Sequence, residues 1–386
     1  MKLRLGMVGG GPGAFIGAVH RTALALDGQA ELIAGCFSSD AAKSSQQAGD
    51  LGLDPARAYA TFADMATKEA ALPASTRIDA AIIVTPNHLH EPAAAAFLNA
   101  GIPVICDKPM AATREQAERM HALAAKTGVP LLVTYNYTGY PLVRHARELA
   151  STGTLGDLRK VVVQYHQGWL SQPIEKSGQK QASWRTDPAQ AGAGALGDIG
   201  SHAENLAHFI TGLEIDRVSA DVASAVPGRA VDDDIGLLAR FKPSPHAPAA
   251  RAVFSISQVC IGRENDLSIQ VYGSKGSLAW RQEDPNALTL SLADEPPRTI
   301  TRGSLSSGPA PGATRLPPGH PEGFYEAFAN IYRGAFDRIR AWREKAPPSP
   351  LAALTPTSAD GLRGVRFIHA CQRSGASSGA WTPLEG

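Results

Sequence analysis

Cysteine is scarce in this chain. There are four in 386 residues, Cys36, Cys106, Cys260 and Cys371. No two stand in a CxxC spacing, so neither a zinc site nor a dense disulfide framework is expected, and no metal is assigned. Charge of one sign is missing too. Lys and Arg number 37 against 36 Asp and Glu, a formal charge of +1. That balance offers no net field to a nucleic acid or an anionic membrane, so neither is expected as a partner. No run of eighteen apolar residues appears, so no membrane span is expected. The first residues pass into a strand-and-turn pattern with no apolar leader, so the cytoplasm is the expected location.

What is present suits a large folded chain. Hydrophobic residues make up 44% and charged residues 19%, an ordinary globular profile. The length favours two domains. Over residues 1–137 short apolar runs alternate with helical periodicity. Strands are expected at 3–8, 30–37, 78–84, 103–106 and 130–135, and helices at 14–26, 41–48, 91–100 and 113–126. This alternation predicts a doubly wound parallel sheet of the Rossmann type. Residues 138–386 read differently. A helix at 141–151 precedes strand-like runs at 158–166, 216–225, 234–242, 250–260, 266–273 and 276–281. One helix is inserted near 198–211, and two close the chain at 321–342 and 356–374. The fold class is α/β, a Rossmann sheet followed by an α+β domain with a large, mostly antiparallel open sheet. Residues 294–321, rich in Pro, Gly, Ser and Thr, are expected to form a long surface excursion.

After the first strand comes Gly9-Gly10-Gly11-Pro12-Gly13-Ala14-Phe15-Ile16. Glycines let a backbone approach a pyrophosphate, and the helix that follows offers its unpaired N–H groups. Gly9, Gly11, Gly13, Ala14, Phe15 and Ile16 are therefore expected to hold a dinucleotide. The spacing from the first glycine to His20 is longer than GxGxxG gives, so Pro12 to Phe15 are expected to bulge. An acid that binds the ribose of NAD would stand at the end of the second strand. Phe37, Ser38 and Ser39 stand there instead, with Lys43 beyond. NAD and NADP both stay open on this evidence.

Two segments carry chemistry. Val104-Ile105-Cys106-Asp107-Lys108-Pro109 puts Lys108 at the carboxyl end of a parallel strand, where open α/β sheets bind ligands. In Gly197-Asp198-Ile199-Gly200-Ser201-His202, Asp198 and His202 are four apart and share one face if that stretch is helical. Asp198 acting only as a helix N-cap is the plain alternative. Histidine titrates near 6.5, which suits a general base. Other polar and aromatic residues suit a hydroxylated ligand: Tyr137 after the last Rossmann strand; Trp169, Lys180, Trp184 and Arg185 before the Asp–His segment; and His320 just before the helix expected at 321–342.

Together the glycine turn ending at His20, Thr85-Pro86-Asn87-His88-Leu89-His90, Asp107-Lys108-Pro109 and the Asp198–His202 segment resemble the Gfo/Idh/MocA family of glucose-fructose oxidoreductases and inositol dehydrogenases. Asp107 stands where that family usually has Glu. The resemblance implies an NAD(P)-dependent oxidation of a secondary ring hydroxyl on a sugar, glycoside or cyclitol. It implies Lys108, Asp198 and His202 as the catalytic set, Thr85, Asn87, His90 and Asp107 near the cofactor, a cis Lys108–Pro109 peptide, and a homodimer or homotetramer. Two rival readings go with it. One is a glycosidase that oxidises its substrate transiently and eliminates the aglycone; the other is a nucleotide-binding regulator, against which the intact Lys–Asp–His set argues.

Overall fold

The structure, a computed structural model, describes residues 2–385, and for Lys180 the backbone alone. Two compact units emerge. One holds residues up to 135 together with 328–362, the other 136–327 with 363–386. The boundary expected at 137 differs on one point. It left 328–362 with the second domain, whereas those residues pack with the first.

In the first unit, strands β1 (Leu3–Gly9), β2 (Ala30–Cys36), β3 (Ala80–Val84), β4 (Val104–Cys106) and β5 (Leu131–Val133) form an all-parallel sheet in the order β2-β1-β3-β4-β5. All five residues of β3 are buried, as befits a strand covered on both faces. Helices α1 (Phe15–Ala25), α2 (Ala41–Asp50), α3 (Phe62–Ala71), α4 (His90–Asn99) and α5 (Arg114–Thr127) make the crossovers. Beyond β2, Gly35 forms a lone parallel bridge to Ala58. That bridge marks a residual outer strand and gives the order of a dinucleotide-binding sheet, which reverses between β1 and β3. The sequence reading passed over α3. Its start is set by Thr61, whose hydroxyl accepts from the Asp64 N–H, a regular N-cap. The α5 start is the expected capping box of Thr113 and Gln116, and Gly128 closes it in the left-handed region, as C-caps favour.

The second unit begins with α6 (Pro141–Ser151) and β6 (Leu158–His166). Short helices α7 (Lys180–Arg185) and α8 (Pro188–Ala191) follow, then a π-turn at Leu196–Gly200 that runs into α9 (Ser201–Thr211). Strands β7 (Ile215–Ala223), β8 (Asp234–Phe241), β9 (Arg251–Ser257), β10 (Asp266–Gly273), β11 (Gly276–Arg281), β12 (Ala287–Leu292) and β13 (Arg298–Thr301) complete most of the sheet. Helices α10 (Phe324–Glu344), α11 (Pro350–Ala353) and α12 (Ser358–Ala376) precede the last strand, β14 (Thr382–Pro383). The sheet has nine strands in the order β13-β12-β11-β10-β6-β9-β8-β7-β14. Only β6 and β9 pair in parallel. The expected excursion over 294–321 is corrected in part, because β13 continues the sheet edge by pairing with β12. Burial alternates strictly along β8, so one face is packed and the other open. Leu238, Val253 and Tyr272 stand exposed. Among the described residues no helix is long and apolar enough to cross a membrane.

Candidate active site

The candidate residues of the first unit lie where the sheet order reverses. Gly9, Gly10 and Gly13 take φ of 83°, 71° and 74°, values open to glycine at no steric cost. A Cβ on Gly11 would stand 2.5 Å from the Phe37 carbonyl oxygen, and one on Gly17 would stand 2.4 Å from the Gly10 Cα. The turn is thus pressed against both the end of β2 and the start of α1. Ala14 caps α1 without a side chain, and no acid stands in the first turn. The N–H groups there are left for an anion. The Thr85 hydroxyl oxygen is buried with no protein partner, and a Cβ on Gly9 would lie 3.0 Å from its methyl group. A glycine cradle, an uncapped helix start and an orphaned hydroxyl beside them fit a dinucleotide. Asn87 is buried next to it, while Phe15 is 64% exposed and Ile16 half-buried.

At the end of β2 the Phe37 ring folds back onto Gly35, where a Cβ would lie 2.2 Å from its tip, and the residue is buried. Only its backbone faces the glycine turn. The Ser38 hydroxyl accepts from the Asp40 N–H. Asp40 caps α2 through the N–H groups of Ala42 and Lys43, and the Lys43 ammonium is 3.9 Å from its carboxylate. Ser39 is exposed.

One strand further on, Asp107 and Lys108 follow β4. The Lys108–Pro109 peptide is cis, as the resemblance implied. The Lys108 N–H donates to Asp107 Oδ1 at 2.8 Å, and the Thr134 hydroxyl donates to the same oxygen at 2.9 Å. His20, fully buried in α1, shares a 2.6 Å hydrogen bond between its Nδ1 and the Tyr332 hydroxyl. Its Nε2 faces Asp107 Oδ1 at 3.9 Å, which is an ion-pair distance rather than a hydrogen bond. Burial alone would raise the Asp107 pKa. The imidazole of His20, then Lys108 and His90, outweigh it and hold the carboxyl well below the usual range. His90 turns its Nδ1 to the Pro109 carbonyl (3.0 Å) and its Nε2 to the Thr85 carbonyl (2.9 Å). Burial pushes its pKa down against the pull of Asp107 and those carbonyls. His90 therefore stands between the Thr85 turn and the Lys108 turn, and as a neutral ring it donates to one of the two carbonyls. Tyr332 was missed by sequence reading, because nothing local links α10 to α1.

The second unit holds Asp198 and His202. Asp232 builds the approach to them. Its carboxylate accepts from the Gly194 and Leu196 N–H groups at 2.9 and 2.6 Å, and a Cβ on Gly194 would strike the Asp232 carbonyl. Asp198 then falls in the π-turn, a distortion common at functional sites. The residue at the N-cap of α9 is Gly200, not Asp198. Asp198 Oδ2 accepts from Gln258 Nε2 at 2.9 Å and faces Arg185 Nε at 3.5 Å. His202, one turn on, is buried with its ring edge-on to Tyr137 at 4.6 Å. Asp198 and His202 thus stand four residues apart along one continuous helical run.

The other expected ligand residues fare unevenly. The Tyr137 hydroxyl, expected to touch substrate, is committed to Tyr165 (2.6 Å) and Asn265 (3.0 Å). Burial pushes both phenols up, and the Asp198 charge adds to it. Trp169 gives its indole N–H to Gln167 at 3.0 Å. The Arg185 guanidinium lies over the Trp184 ring at 4.4 Å, so these two join Asp198. His320 is exposed, and its carbonyl accepts from Arg302 at 2.5 Å. The Lys180 side chain lies outside the described residues. A cavity of about 690 Å³ opens beside this cluster, lined by Tyr140, Asn265, Gln282, Asn286 and Phe324 among others. Gln167, Gln258, Asn265 and Tyr165 carried no sequence signal. They are amides and a phenol in sheet segments that converge only when the strands pair.

A parallel sheet with a glycine cradle at its switch point defines a dinucleotide-binding protein. Comparison with known proteins agrees. Residues 3–135 match the model of the oxidoreductase family with an NAD-binding Rossmann fold, and residues 143–279 match the GFO/IDH/MocA C-terminal domain. An uncharacterized oxidoreductase of Bacillus subtilis, YfiI, is 32% identical over 99% of this chain and 97% of its own. An oxidoreductase structure from Sinorhizobium meliloti is 43% identical, covers 99% of both chains and superposes with a TM-score of 0.89. An inositol dehydrogenase homolog of Azotobacter vinelandii, complexed with NADH and myo-inositol, is 31% identical over 99% of this chain and 98% of its own, with a TM-score of 0.89. The chain belongs to the Gfo/Idh/MocA family of NAD-binding oxidoreductases.

Proposed function

We propose that this protein oxidises a secondary ring hydroxyl of a sugar or cyclitol, using NAD. The observation that carries the reading is the pairing of Asp198 and His202 on one turn, backed by buried tyrosines, in a chain whose other unit presents Lys108 beside a nucleotide cradle. The relative complexed with myo-inositol supports that substrate class.

When bound, NAD supplies the hydride acceptor. In this reading Lys108 donates a hydrogen bond from its ammonium to the reacting hydroxyl oxygen, which stabilises developing alkoxide charge. His202 takes the hydroxyl proton on an imidazole nitrogen, a step worth roughly 10²–10⁴ in rate. Asp198 accepts a hydrogen bond from the substrate and orients it. Asn265, Gln282 and Asn286 suit neighbouring hydroxyls, being amides that both donate and accept. At the end of β2 the charged groups are Asp40 and Lys43, already facing each other, and no arginine is offered to a 2′-phosphate. NAD is therefore the preferred cofactor over NADP.

The test is a panel of inositols, pyranoses and glycosides with both cofactors, following NADH formation. Net reduction with a free sugar or cyclitol supports the reading; aglycone release without net reduction refutes it. Lys108→Ala should lower kcat at least 100-fold, the scale of one lost oxyanion-type donor, while NAD binding changes little. Unaltered turnover would remove Lys108 from the mechanism.

A further inference from the structure

We propose that Gln258 is the positioning residue that holds Asp198 as an obligate hydrogen-bond acceptor, through a side-chain relay whose direction is set at Trp169. The role of Asp198 in turnover rests on the dehydrogenase reading; the relay itself does not.

The direction follows from donor chemistry. An indole N–H only donates, so the Gln167 atom 3.0 Å from Trp169 Nε1 is its oxygen. The Gln167 nitrogen then faces Asn265 Oδ1 at 2.8 Å. Asn265 Oδ1 also accepts from the Tyr165 hydroxyl at 2.7 Å, while its nitrogen donates to Tyr137 at 3.0 Å. With the Tyr165 proton so placed, the 2.6 Å contact between the phenols is a donation from Tyr137 to Tyr165. At the other end, Gln167 Oε1 also faces Gln258 at 3.2 Å, so that atom is Nε2. The same Nε2 reaches Asp198 Oδ2 at 2.9 Å. Its two hydrogens are thereby assigned, one to each oxygen, and Asp198 Oδ2 must accept.

The surroundings agree. Gln258 is 2% exposed, so its amide cannot turn over without leaving a buried polar group unmatched, at a substantial desolvation cost. The charged neighbour facing Asp198 is Arg185, whose Nε is also a donor. Tyr137 and Tyr165 face the cluster as neutral phenols, and His202 stands one turn away. Oδ2 thus faces two donors, Gln258 Nε2 and Arg185 Nε. In the dehydrogenase reading Asp198 receives a substrate O–H, so the substrate presents a hydroxyl donor there. Proton removal is left to His202.

The test uses the full-length protein. Gln258→Glu sets a second carboxylate against Asp198, and paired carboxylates share a proton with a raised apparent pKa. With carbon-13-labelled aspartate, and Asp198 assigned by its loss in Asp198→Asn, the wild-type signal should stay flat between about pH 5 and 8 and titrate in Gln258→Glu. Turnover of Gln258→Glu should fall toward alkaline pH and recover on acidification. Gln258→Met should lower kcat about tenfold or more at every pH with NADH affinity kept. Trp169→Phe keeps an aromatic ring, removes the indole N–H, and should lower kcat several-fold. A wild-type Asp198 signal that titrates in the window, or one unchanged in Gln258→Glu, overturns the relay, and so does wild-type kcat in Gln258→Met. If the wild type turns over no sugar or cyclitol, the reading of the reaction fails, and the carboxyl titration still decides the role of Gln258.

Discussion

Gly17→Ala is the sharpest probe of the nucleotide turn. In an unencumbered helix, Gly to Ala gains about 0.5–1 kcal/mol. Here the new Cβ would stand 2.4 Å from the Gly10 Cα and 2.7 Å from its carbonyl oxygen. Both are backbone atoms, and Gly10 is held at a φ of 71°. No side chain can rotate away, so the turn must lift off α1 by more than 1 Å to reach ordinary contact near 3.5–4.0 Å. Overpacking of this kind costs about 1–3 kcal/mol. Set against the helix gain, the variant should lose roughly 0–2.5 kcal/mol of stability. Cofactor binding should suffer more. Displacing one backbone N–H from a charged phosphate oxygen loses about 1.5–3 kcal/mol, or roughly 10- to 150-fold in affinity. Gly49→Ala in α2 is the control. A Cβ there meets nothing within 4 Å, so it should gain about 0.5–1 kcal/mol and leave binding alone. NADH titration by fluorescence and urea unfolding read both numbers. Wild-type affinity in a folded Gly17→Ala protein would refute the close-approach argument.

Three further outcomes are expected. The pKa of His90 is pushed down by burial, so below about pH 6.5 the unfolded chain takes up a proton that the folded chain refuses. Stability should then fall as pH drops from 6.5, and His90→Gln should flatten that slope in urea midpoints; an unchanged slope removes His90 as its source. Arg229 binds Asp233 at 2.9 Å and Glu175 at 3.1 Å, with its side chain and that of Asp233 fully buried. Arg229→Ala should cost about 3–5 kcal/mol by leaving a buried carboxylate uncompensated, and a loss under 1 kcal/mol would contradict that. The open face bearing Leu238, Val253 and Tyr272 is proposed as the surface on which copies associate; Leu238→Arg should shift sedimentation toward the monomer, and an unshifted profile of an oligomeric wild type would exclude this face.

Local signals made much of the fold legible. The β1 apolar run, the glycine cluster and the α1 periodicity are all contiguous, and each has a direct physical reading. β8 was read as a strand-like run, and its strict alternation emerged only in the burial of the folded strand. α3 was passed over because its apolar positions are few beside Ala, Lys and Glu, and its cap at Thr61 is a single residue. The strand β13 hid in a stretch whose composition signals loop, and its partner β12 supplied the missing hydrogen bonds. The direction of the Phe37 ring was not legible, because it depends on the empty space at Gly35.

The chain alone determined the cradle at Gly9–Gly13, the lysine at the end of β4 and the one-turn spacing of Asp198 and His202, because each rests on neighbours within a few residues. Tertiary structure decided which groups hold these residues in place. Tyr332 reaches His20 across 312 positions, and Gln258 reaches Asp198 across 60. Hydrogen-bond partners at such separations follow from strand order and helix packing, and no periodicity or spacing in the sequence encodes them.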